Sequence, residues 1–425
     1  MIKIINCTNK NYLKKLDSLL ELRRFNKNDK VKIVSKIIQD IKKNGTKALL
    51  KYEKKFSKNN TIRVSEKEIN KAIRKLNPKV KKAIDFSYNK ILNFHKKQLK
   101  NFKNISYIDK LKNKLEYKVL PIEKIGIYTP SGLPTSLLMT AIIARLAKVK
   151  EIILATPKNN GVLNPAIMYV AKKTGIKFIM SCGGAQAIAS LAYINKVDKI
   201  VGPGNAWVAE AKRQLSGRII GTESMHAGES EICVIADNNT DINQIVTSLI
   251  SQAEHDPNSQ SILITKYQEV LNEVKKKLPV ALKKLPRKKI AIKSIQNNCI
   301  MIKAISDKDV INSVNLIGPE HLEINVKNYK KYSKFIINAG SICNGENSAM
   351  VLTDFGVVGT NHILPTHGSA KYSSGLNLNE FVKRISVVTL SKKGLEKTAN
   401  HAITLSEFEN LYGHTQSIKS RIRRN

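Results

Sequence analysis

The stretch that decides the fold is residues 124–157, KIGIYTPSGLPTSLLMTAIIARLAKVKEIILATP. It opens with a short apolar run that ends in a TPSG turn. An apolar segment of helical length follows, and a second short apolar run closes the stretch. Strand, helix and strand at this spacing form a βαβ unit, because parallel strands need a long crossover between them. The order predicts a parallel sheet with helices on both of its faces.

The same alternation continues toward the carboxyl terminus. Further strand candidates separated by helical segments are KFIMSC (177–182), DKIVGPG (198–204), EICVIAD (231–237) and SILITK (261–266). Gly-rich turns follow three of the strands, with the sequences TPSG, SCGGAQ and GPGN. Ligands of open parallel sheets bind beyond the carboxyl ends of the strands, where small turns let a backbone approach a phosphate. None of these turns reads GxGxxG, so by themselves they do not establish a dinucleotide site.

The two ends of the chain differ from this middle part in charge and in the spacing of their apolar residues. Residues 1 to about 120 are strongly charged and show apolar positions near helical spacing, and polar, helix-like sequence returns from about residue 377. We therefore predict an α/β protein with two incomplete Rossmann-like parallel-sheet domains, plus small helical segments at the N and C termini.

Composition excludes several classes of protein. The chain has 425 residues, of which 42% are hydrophobic, and this apolar fraction is too high for a disordered protein. No run of about 18 apolar residues predicts a membrane span, and no secretory signal is apparent. Five scattered cysteines without a CxxC pair favour reduced, packed thiols. We expect a cytoplasmic protein.

The net charge is strongly positive, with 73 Lys and Arg against 33 Asp and Glu, which gives +40. Such an excess raises the alternative of nucleic-acid binding, since Lys and Arg neutralise phosphates. The basic residues are nevertheless spread along the chain among many Asn and Ile, as AT-rich codons would produce. No zinc finger or RNP-like aromatic motif accompanies them. We favour compositional drift as the explanation and expect neither a nucleic-acid nor a membrane partner.

Histidines concentrate in the second half of the chain, where seven of the eight lie beyond residue 225. In SQAEHDPNSQ, Gln252 and His255 are three residues apart on a predicted helix and share a face. Two such side chains can ligate a divalent cation with help from elsewhere, but on spacing alone a helix end capped by polar residues is the more ordinary explanation. In GPEHLEI, Glu320 beside His321 suits paired acid–base chemistry, the alternative being a surface turn.

Two further clusters carry histidines. TDFGVVGTNHILPTHG contains Asp354, His362 and His367, and a carboxylate with imidazoles is a donor set that suits zinc. ENLYGHTQS near the carboxyl terminus contains Glu409 and His414, which by themselves are typical of a solvated chain end.

Taken together, these motifs resemble the histidinol dehydrogenase family from about residue 30 to 420. The matching stretches occur in the family's order and include GIYTPSG, GGAQAIA, KVDKIVGPGNAWVAEAKRQ, AGESE, SQAEHDPNSQ, GPEHLEI and GTNHILPT. The resemblance implies an NAD-dependent oxidation of L-histidinol through L-histidinal to L-histidine, the last steps of histidine biosynthesis. It also implies a homodimer with shared active sites and one zinc ion per subunit.

The resemblance implies a role for each matched residue. Glu320 and His321 would be catalytic, with His321 taking the hydroxyl proton and Glu320 activating the water that hydrates the aldehyde. The implied zinc ligands are Gln252, His255, Asp354 and His414, the last supplied by the partner subunit. The implied substrate contacts are Ser230, His362, Glu409 and Thr135, and the implied NAD contacts are Tyr128, Gln186 and Asn205.

We also expect a division of the chain into four parts. These are an N-terminal helical segment (1–24), a first α/β domain that carries most of the active site (25–127 with 231–376), a second, NAD-binding α/β domain (128–230), and a C-terminal segment that reaches the partner subunit (377–425).

The chain departs from the family pattern at three places. The loop after Tyr128 is shorter than usual, so Thr135 or Ser136 could replace the family's substrate-contacting serine. His226 and Glu229 stand where the family usually has prolines, which should loosen that loop. Asp354 lies one residue further than usual from the GTNH motif. The altered loop also raises the alternative of a paralogue that oxidises another polar alcohol.

Overall fold

The structure is a computed structural model that describes residues 2–24, 30–224 and 228–422. The chain forms two compact units, Met1–Lys96 with Ile122–Phe381 and Lys97–Pro121 with Val382–Asn425. The strands are β1 (Lys3–Asn6), β2 (Ile105–Ile108), β3 (Lys114–Pro121), β4 (Lys124–Tyr128), β5 (Glu151–Ala155), β6 (Phe178–Met180), β7 (Lys199–Val201), β8 (Gly221–Thr222), β9 (Glu231–Ala236), β10 (Gln260–Thr265), β11 (Ile300–Lys303), β12 (His321–Asn325), β13 (Ser341–Asn344) and β14 (Val382–Thr389).

Helices connect nearly all of these strands. They are α1 (Tyr12–Arg24), α2 (Lys30–Ser57), α3 (Glu66–Ile73), α4 (Pro78–Gln98), α5 (Pro134–Leu146), α6 (Pro165–Lys173), α7 (Gly184–Tyr193), α8 (Ala206–Leu215), α9 (Ile242–Ala253), α10 (Gln268–Lys283), α11 (Lys288–Asn298), α12 (Asp307–Ile317), α13 (Lys330–Ser333), α14 (Val351–Asp354), α15 (Lys392–Phe408) and α16 (Tyr412–Ile422).

A six-stranded sheet forms one half of the larger unit, in the order β1-β11-β10-β9-β12-β13 with all neighbours parallel. Its central strands β9 and β10 are buried along their whole length because helices cover both faces. Ile235 and Ile264 pack into a core on one face, whereas Val234 and Leu263 pack into a core on the other.

A five-stranded parallel sheet forms the other half, in the order β6-β5-β4-β7-β8. Helix α2 packs on it through apolar residues at helical spacing, among them Val34, Ile37 and Ile41, in one core with Tyr128 and Ile188. The division of the chain expected from the sequence instead places residues 30–57 with the six-stranded sheet. The correction follows from the burial of this apolar face against α7 and α8, which the local sequence cannot specify.

The smaller unit contains an antiparallel sheet in the order β14-β3-β2, together with α15 and α16. The C-terminal segment is therefore not only helical: Val382–Thr389 is a strand that pairs with Lys114–Pro121. The N-terminal segment likewise begins with a strand, Lys3–Asn6, which pairs with β11. Both strands lie at or near a sheet edge and carry polar residues, so their apolar patterning is weak.

The prediction of an α/β protein with two parallel sheets is confirmed. All five cysteines are free and buried, as expected for packed thiols. In the described part of the chain, no helix is long and apolar enough to cross a membrane.

Candidate functional site

The predicted catalytic and metal-binding residues of the larger unit meet at the amino edge of the six-stranded sheet. His321 is the first residue of β12, and Glu320 immediately precedes it. Helix α9 starts near the carboxyl end of β9 and runs back along the sheet, so its last turn places Gln252 at the same amino edge. His255 follows in a turn after the helix ends at Ala253, and not on the helix as its spacing from Gln252 predicts. These predicted residues therefore do not lie beyond the carboxyl ends of the strands, where ligands of open parallel sheets commonly bind. They lie at the start of a strand and near the end of a helix that runs back along the sheet.

Asp354 lies at the centre of this cluster. Its Oδ1 is 3.6 Å from Nε2 of His321, and its Oδ2 accepts a hydrogen bond of 3.3 Å from Nε2 of Gln252. A second carboxyl group lies near the ring of His321, because Oε1 of Glu320 is 3.8 Å from Nε2 of His321. The longer spacing between Asp354 and the GTNH motif thus still brings its carboxylate to Gln252 and His321.

His362 has a defined tautomer in this arrangement. Its Nδ1 lies 2.6 Å from the backbone oxygen of Asp354, so Nδ1 carries the proton and donates. Its Nε2 must then accept a hydrogen bond, which the hydroxyl of Ser136 donates at 2.8 Å. Of the two hydroxyl candidates in the shortened loop, Ser136 is therefore the one that contacts His362, and Thr135 stands beside it at the start of α5.

Burial shifts the carboxyl groups toward their neutral forms. The pKa of Glu320 is well above its ordinary value, first because the side chain is buried and further because of the negative charges of Glu231 and Asp354. Burial also raises the pKa of Asp354 to about 7, although the hydrogen bond from Gln252 opposes the shift. Both groups are more basic than ordinary carboxylates.

Burial shifts the imidazoles in the opposite direction. It lowers the pKa of His321 to about 3, with smaller contributions from the charges of His362 and His255. It lowers the pKa of His362 to about 4 and also lowers that of His255. At neutral pH all three rings are therefore neutral and can accept a proton or bind a metal. In addition, Nδ1 of His321 is buried and has no hydrogen-bond partner among the residues that the structure describes.

A buried ion pair behind Glu320 was missed by sequence reasoning. Arg23, near the end of α1, pairs with the carboxylate of Glu231, while the backbone N–H of Glu231 donates to Oε2 of Glu320 at 2.8 Å. The backbone N–H of His367 donates to the same Glu231 carboxylate at 2.9 Å. Nothing in the local pattern around Arg23 links it to a strand more than 200 residues away.

The predicted cofactor residues lie at the carboxyl edge of the five-stranded sheet, as expected. Tyr128 ends β4, Gln186 lies in the first turn of α7, and Asn205 caps α8 by accepting hydrogen bonds from two backbone N–H groups. Gly202 has φ +114°, and an added Cβ would lie 2.1 Å from the backbone oxygen of Tyr128. Only glycine fits this close approach.

Glu53 in α2 is a second residue that sequence reasoning missed. Its Oε1 accepts hydrogen bonds from the backbone N–H of Gly183 at 3.1 Å and from Nε2 of Gln186 at 2.8 Å. The SCGGAQ turn is therefore fixed by a carboxylate from a distant helix. A lone Glu among many Lys residues in α2 gives no local indication of this role.

The remaining predicted residues are placed as follows. Ser230 precedes β9, and its backbone oxygen accepts a hydrogen bond from Gln260. Glu409 and His414 belong to the smaller unit, where Glu409 caps α15 and His414 lies in the first turn of α16, both exposed. His226 lies outside the described residues.

Within one copy of the chain, no three His, Cys, Asp or Glu side chains of the described residues come together to hold a metal ion. The ligand set that the resemblance implies would not form such a group in one copy. It has only His255 and Asp354 of these types in the larger unit, together with an amide from Gln252 and a histidine from a second copy.

Comparisons with known proteins agree on one family. The profile of the histidinol dehydrogenase family matches residues 21–422. The chain is 51% identical to histidinol dehydrogenase of Pelagibacter ubique (strain HTCC1062) over 435 residues, covering 100% of both chains. It is 38% identical to that of Lactiplantibacillus plantarum (strain ATCC BAA-793 / NCIMB 8826 / WCFS1), covering 91% of this chain and 92% of the relative. The crystal structure of histidinol dehydrogenase from Elizabethkingia anophelis matches with a TM-score of 0.90 and 34% identity, covering 100% of this chain and 98% of that one.

Proposed function

This chain belongs to the histidinol dehydrogenase family, and on this premise we propose that it oxidises L-histidinol through L-histidinal to L-histidine, with NAD and zinc as cofactors. The observation that carries the proposal is the buried cluster of Glu320, His321 and Asp354 at the amino edge of the six-stranded sheet. It combines a neutral imidazole with two carboxyl groups of raised basicity. Such groups can act as the general bases that remove protons from an alcohol and from a hydrated aldehyde.

His321 is the proton acceptor in this proposal. Its ring is neutral at physiological pH because burial lowers its pKa to about 3. Its Nδ1 is buried without a partner among the described residues, so a substrate group could take that position without breaking an existing hydrogen bond. Each oxidation releases one proton besides the hydride, and an imidazole within hydrogen-bond reach can accept it.

Glu320 activates the water that must add to the aldehyde before the second oxidation. Its pKa is raised by burial and by nearby negative charge, so the carboxylate is a stronger base than an ordinary glutamate. The backbone N–H of Glu231 holds Oε2 in place. The other oxygen, Oε1, lies beside His321, so the two groups can share the proton of the attacking water.

The donor set near Asp354 fits zinc. Gln252, His255 and Asp354 would hold the ion together with His414 from a second copy of the chain. Burial keeps His255 neutral, and neutral imidazole is the form that binds zinc. A bound zinc supplies a Lewis acid that orients the nitrogen atoms of the substrate. Ser230, His362, Thr135 and Glu409 are the proposed substrate contacts.

The carboxyl edge of the five-stranded sheet fits a dinucleotide. Tyr128, Gln186 and Asn205 would contact NAD, which accepts the hydride in each oxidation. The close approach of Gly202 to the backbone of Tyr128 and the positive φ of Gly184 leave turns without side chains, which suits a ligand lying against the backbone. These turns would allow a dinucleotide to lie against the backbone although none of them has a GxGxxG motif.

A homodimer is supported by the surface of the smaller unit. Its sheet and helices expose several large apolar side chains, namely Ile105, Tyr107, Ile108, Val388, Phe408 and Tyr412. Large apolar side chains exposed in this number are common at interaction sites, and a second copy of the chain would bury them. We place the enzyme in the cytoplasm, where the five free cysteines stay reduced.

Purified protein with histidinol, NAD and zinc tests the proposal through the absorbance of the reduced cofactor. We expect two reduced cofactors for each histidinol consumed. A panel of other polar alcohols serves as the control for substrate choice and should give a much lower kcat/KM. Absence of cofactor reduction with histidinol under every metal condition would contradict the proposal.

A further inference from the structure

The carboxylate of Glu53 is fully buried in the core beneath the five-stranded sheet, with an exposed fraction of 0%. Neither the proposed proton transfers nor the proposed metal site uses it. A buried carboxylate is costly unless hydrogen bonds compensate it. Here Oε1 accepts two hydrogen bonds, whereas Oε2 is buried without a partner among the described residues. This incomplete compensation indicates that a requirement other than stability keeps a carboxylate at this position.

The first consequence concerns the polarity of Gln186. A side-chain amide can present either its oxygen or its nitrogen to a neighbour, but an ionised carboxylate only accepts hydrogen bonds. Glu53 therefore forces Nε2 of Gln186 to face it, at 2.8 Å. The amide oxygen of Gln186 lies on the opposite side, over Gly184, where an added Cβ would be 2.9 Å from it. This oxygen is thus fixed as an acceptor at the turn.

The second consequence concerns the start of α7. The N terminus of a helix carries unpaired N–H groups and partial positive charge, and it commonly binds phosphate. In this protein, Glu53 accepts the N–H of Gly183 directly before α7. A carboxyl oxygen of the protein therefore already takes the N–H group that a phosphate would need at this helix terminus, which disfavours a phosphate at the same place.

We infer that Glu53 is a positioning residue of the cofactor site, which holds Gln186 so that the SCGGAQ turn accepts a hydrogen bond from the dinucleotide rather than binding its phosphates. The chemical group recognised at this turn is a hydrogen-bond donor, such as a ribose hydroxyl. This inference rests on the proposed use of NAD. It adds Glu53 to the residues of the proposed cofactor site. It also assigns different parts of the dinucleotide to different turns, because the phosphates must then be bound by other turns of the same edge.

The substitution Glu53→Gln tests the inference, since it keeps the shape of the side chain but removes the charge that fixes the orientation of the Gln186 amide. The dissociation constant of NAD can be followed by the fluorescence of Trp207, which is the only tryptophan of the chain and lies in the first turn of α8 next to Asn205. We expect the Kd to rise about tenfold, because a charge-assisted hydrogen bond becomes a neutral one. The kcat at saturating NAD and the KM for histidinol should stay within about twofold.

Asp40→Asn is the matched control, because Asp40 is the other acidic residue of α2 and hydrogen bonds locally to Asn44 and Lys51. It should leave the Kd of NAD unchanged. If the role of Glu53 were purely structural, Glu53→Gln would lower the unfolding temperature of the protein. The Kd of NAD for the folded variant would then equal the wild-type value. An unchanged Kd in Glu53→Gln would therefore overturn the inference.

If Glu53→Gln does not fold, Glu53→Asp provides the same test, because it keeps the charge but shortens the reach by one methylene. It should also raise the Kd of NAD, and a wild-type Kd would again overturn the inference. Failure of the proposed function would be recognised separately, since the wild-type protein itself would then show no NAD binding.

Discussion

The Nε2 atom of His367 lies 3.0 Å from Oε2 of Glu229, which joins the loop before β9 to the segment after the GTNH motif. Glu229 stands where the family resemblance leads one to expect a proline. Its backbone oxygen also accepts a hydrogen bond from Arg23 at 3.1 Å. Glu229, at which we expect the loss of a proline to loosen the chain, is thus held by a hydrogen bond to His367 and by a hydrogen bond from α1.

The contact between Glu229 and His367 predicts a pH-dependent stability. The hydrogen bond from His367 is the largest cause that lowers the pKa of Glu229 to about 2, below its ordinary value of 4.5. A carboxyl group with a lowered pKa stabilises the folded protein above its unfolded pKa and loses that contribution as the pH falls toward its folded pKa. We expect Glu229→Gln to cost roughly 1–2 kcal/mol at pH 6, after allowance for partial exposure to solvent. The difference from wild type should shrink between pH 4.5 and pH 2.

Urea unfolding of both proteins across this pH range measures the effect. Glu346→Gln, a change of an exposed carboxylate elsewhere in the same unit, serves as the control and should give a small difference. A cost for Glu229→Gln that stays constant from pH 6 to pH 3 would show that the ionised carboxylate of Glu229 does not stabilise the folded protein through this contact.

Replacement of the proposed base separates chemistry from binding. His321→Asn should lower kcat by at least about a thousandfold, because the buried acceptor of the hydroxyl proton is lost. Zinc content and the Kd of NAD should remain at wild-type values, since His321 is not among the proposed ligands of either cofactor. His401→Asn, on an exposed face of α15, is the control and should retain full turnover. Normal turnover by His321→Asn would refute the assignment of the base.

The sequence predicted what depends on local patterns. Uninterrupted apolar runs between helical segments indicated both parallel sheets, and the Gly-rich turns indicated the carboxyl edge where Tyr128 and Gln186 lie. The short motifs also contained the side chains that meet around Asp354.

What the sequence could not predict depends on contacts between distant parts of the chain. Glu53 and Gln186 are 133 residues apart, and Arg23 and Glu231 are 208 apart. Each of these carboxylates is buried by packing that no local pattern encodes. The sequence also did not predict the antiparallel sheet of the smaller unit. Its strands β2 and β14 are largely exposed on both faces and therefore lack a clear apolar alternation.

A shared active site predicts complementation between two inactive variants. His414→Ala should reduce zinc occupancy of the homodimer, because one ligand of each site is lost. Mixed dimers with His321→Asn should regain activity, since one of their two sites then combines an intact His321 with an intact His414 from the other copy. The expected activity of a statistical mixture is up to about a quarter of wild type, as half of the dimers are mixed and each has one intact site. The measurement is NAD reduction after the two variants are unfolded and refolded together, and each variant refolded alone is the control. Absence of any gain in the mixture would contradict a site shared between subunits.

The ion pair behind Glu320 should affect both the stability of the protein and the protonation of Glu320. Arg23 and Glu231 are both largely buried, so Arg23→Met would leave the carboxylate of Glu231 without its counter-charge. Loss of one partner of a buried pair costs about 3–5 kcal/mol, and we expect a loss of that order in urea unfolding. The charge of Arg23 also lowers the pKa of Glu320, so its removal should raise that pKa further and move the acidic limb of the kcat profile to higher pH. Arg23→Lys retains the charge and should therefore restore most of the stability and the position of the limb. If Arg23→Met lost stability but kept the wild-type pH profile, the pair would support the fold without influencing the protonation of Glu320.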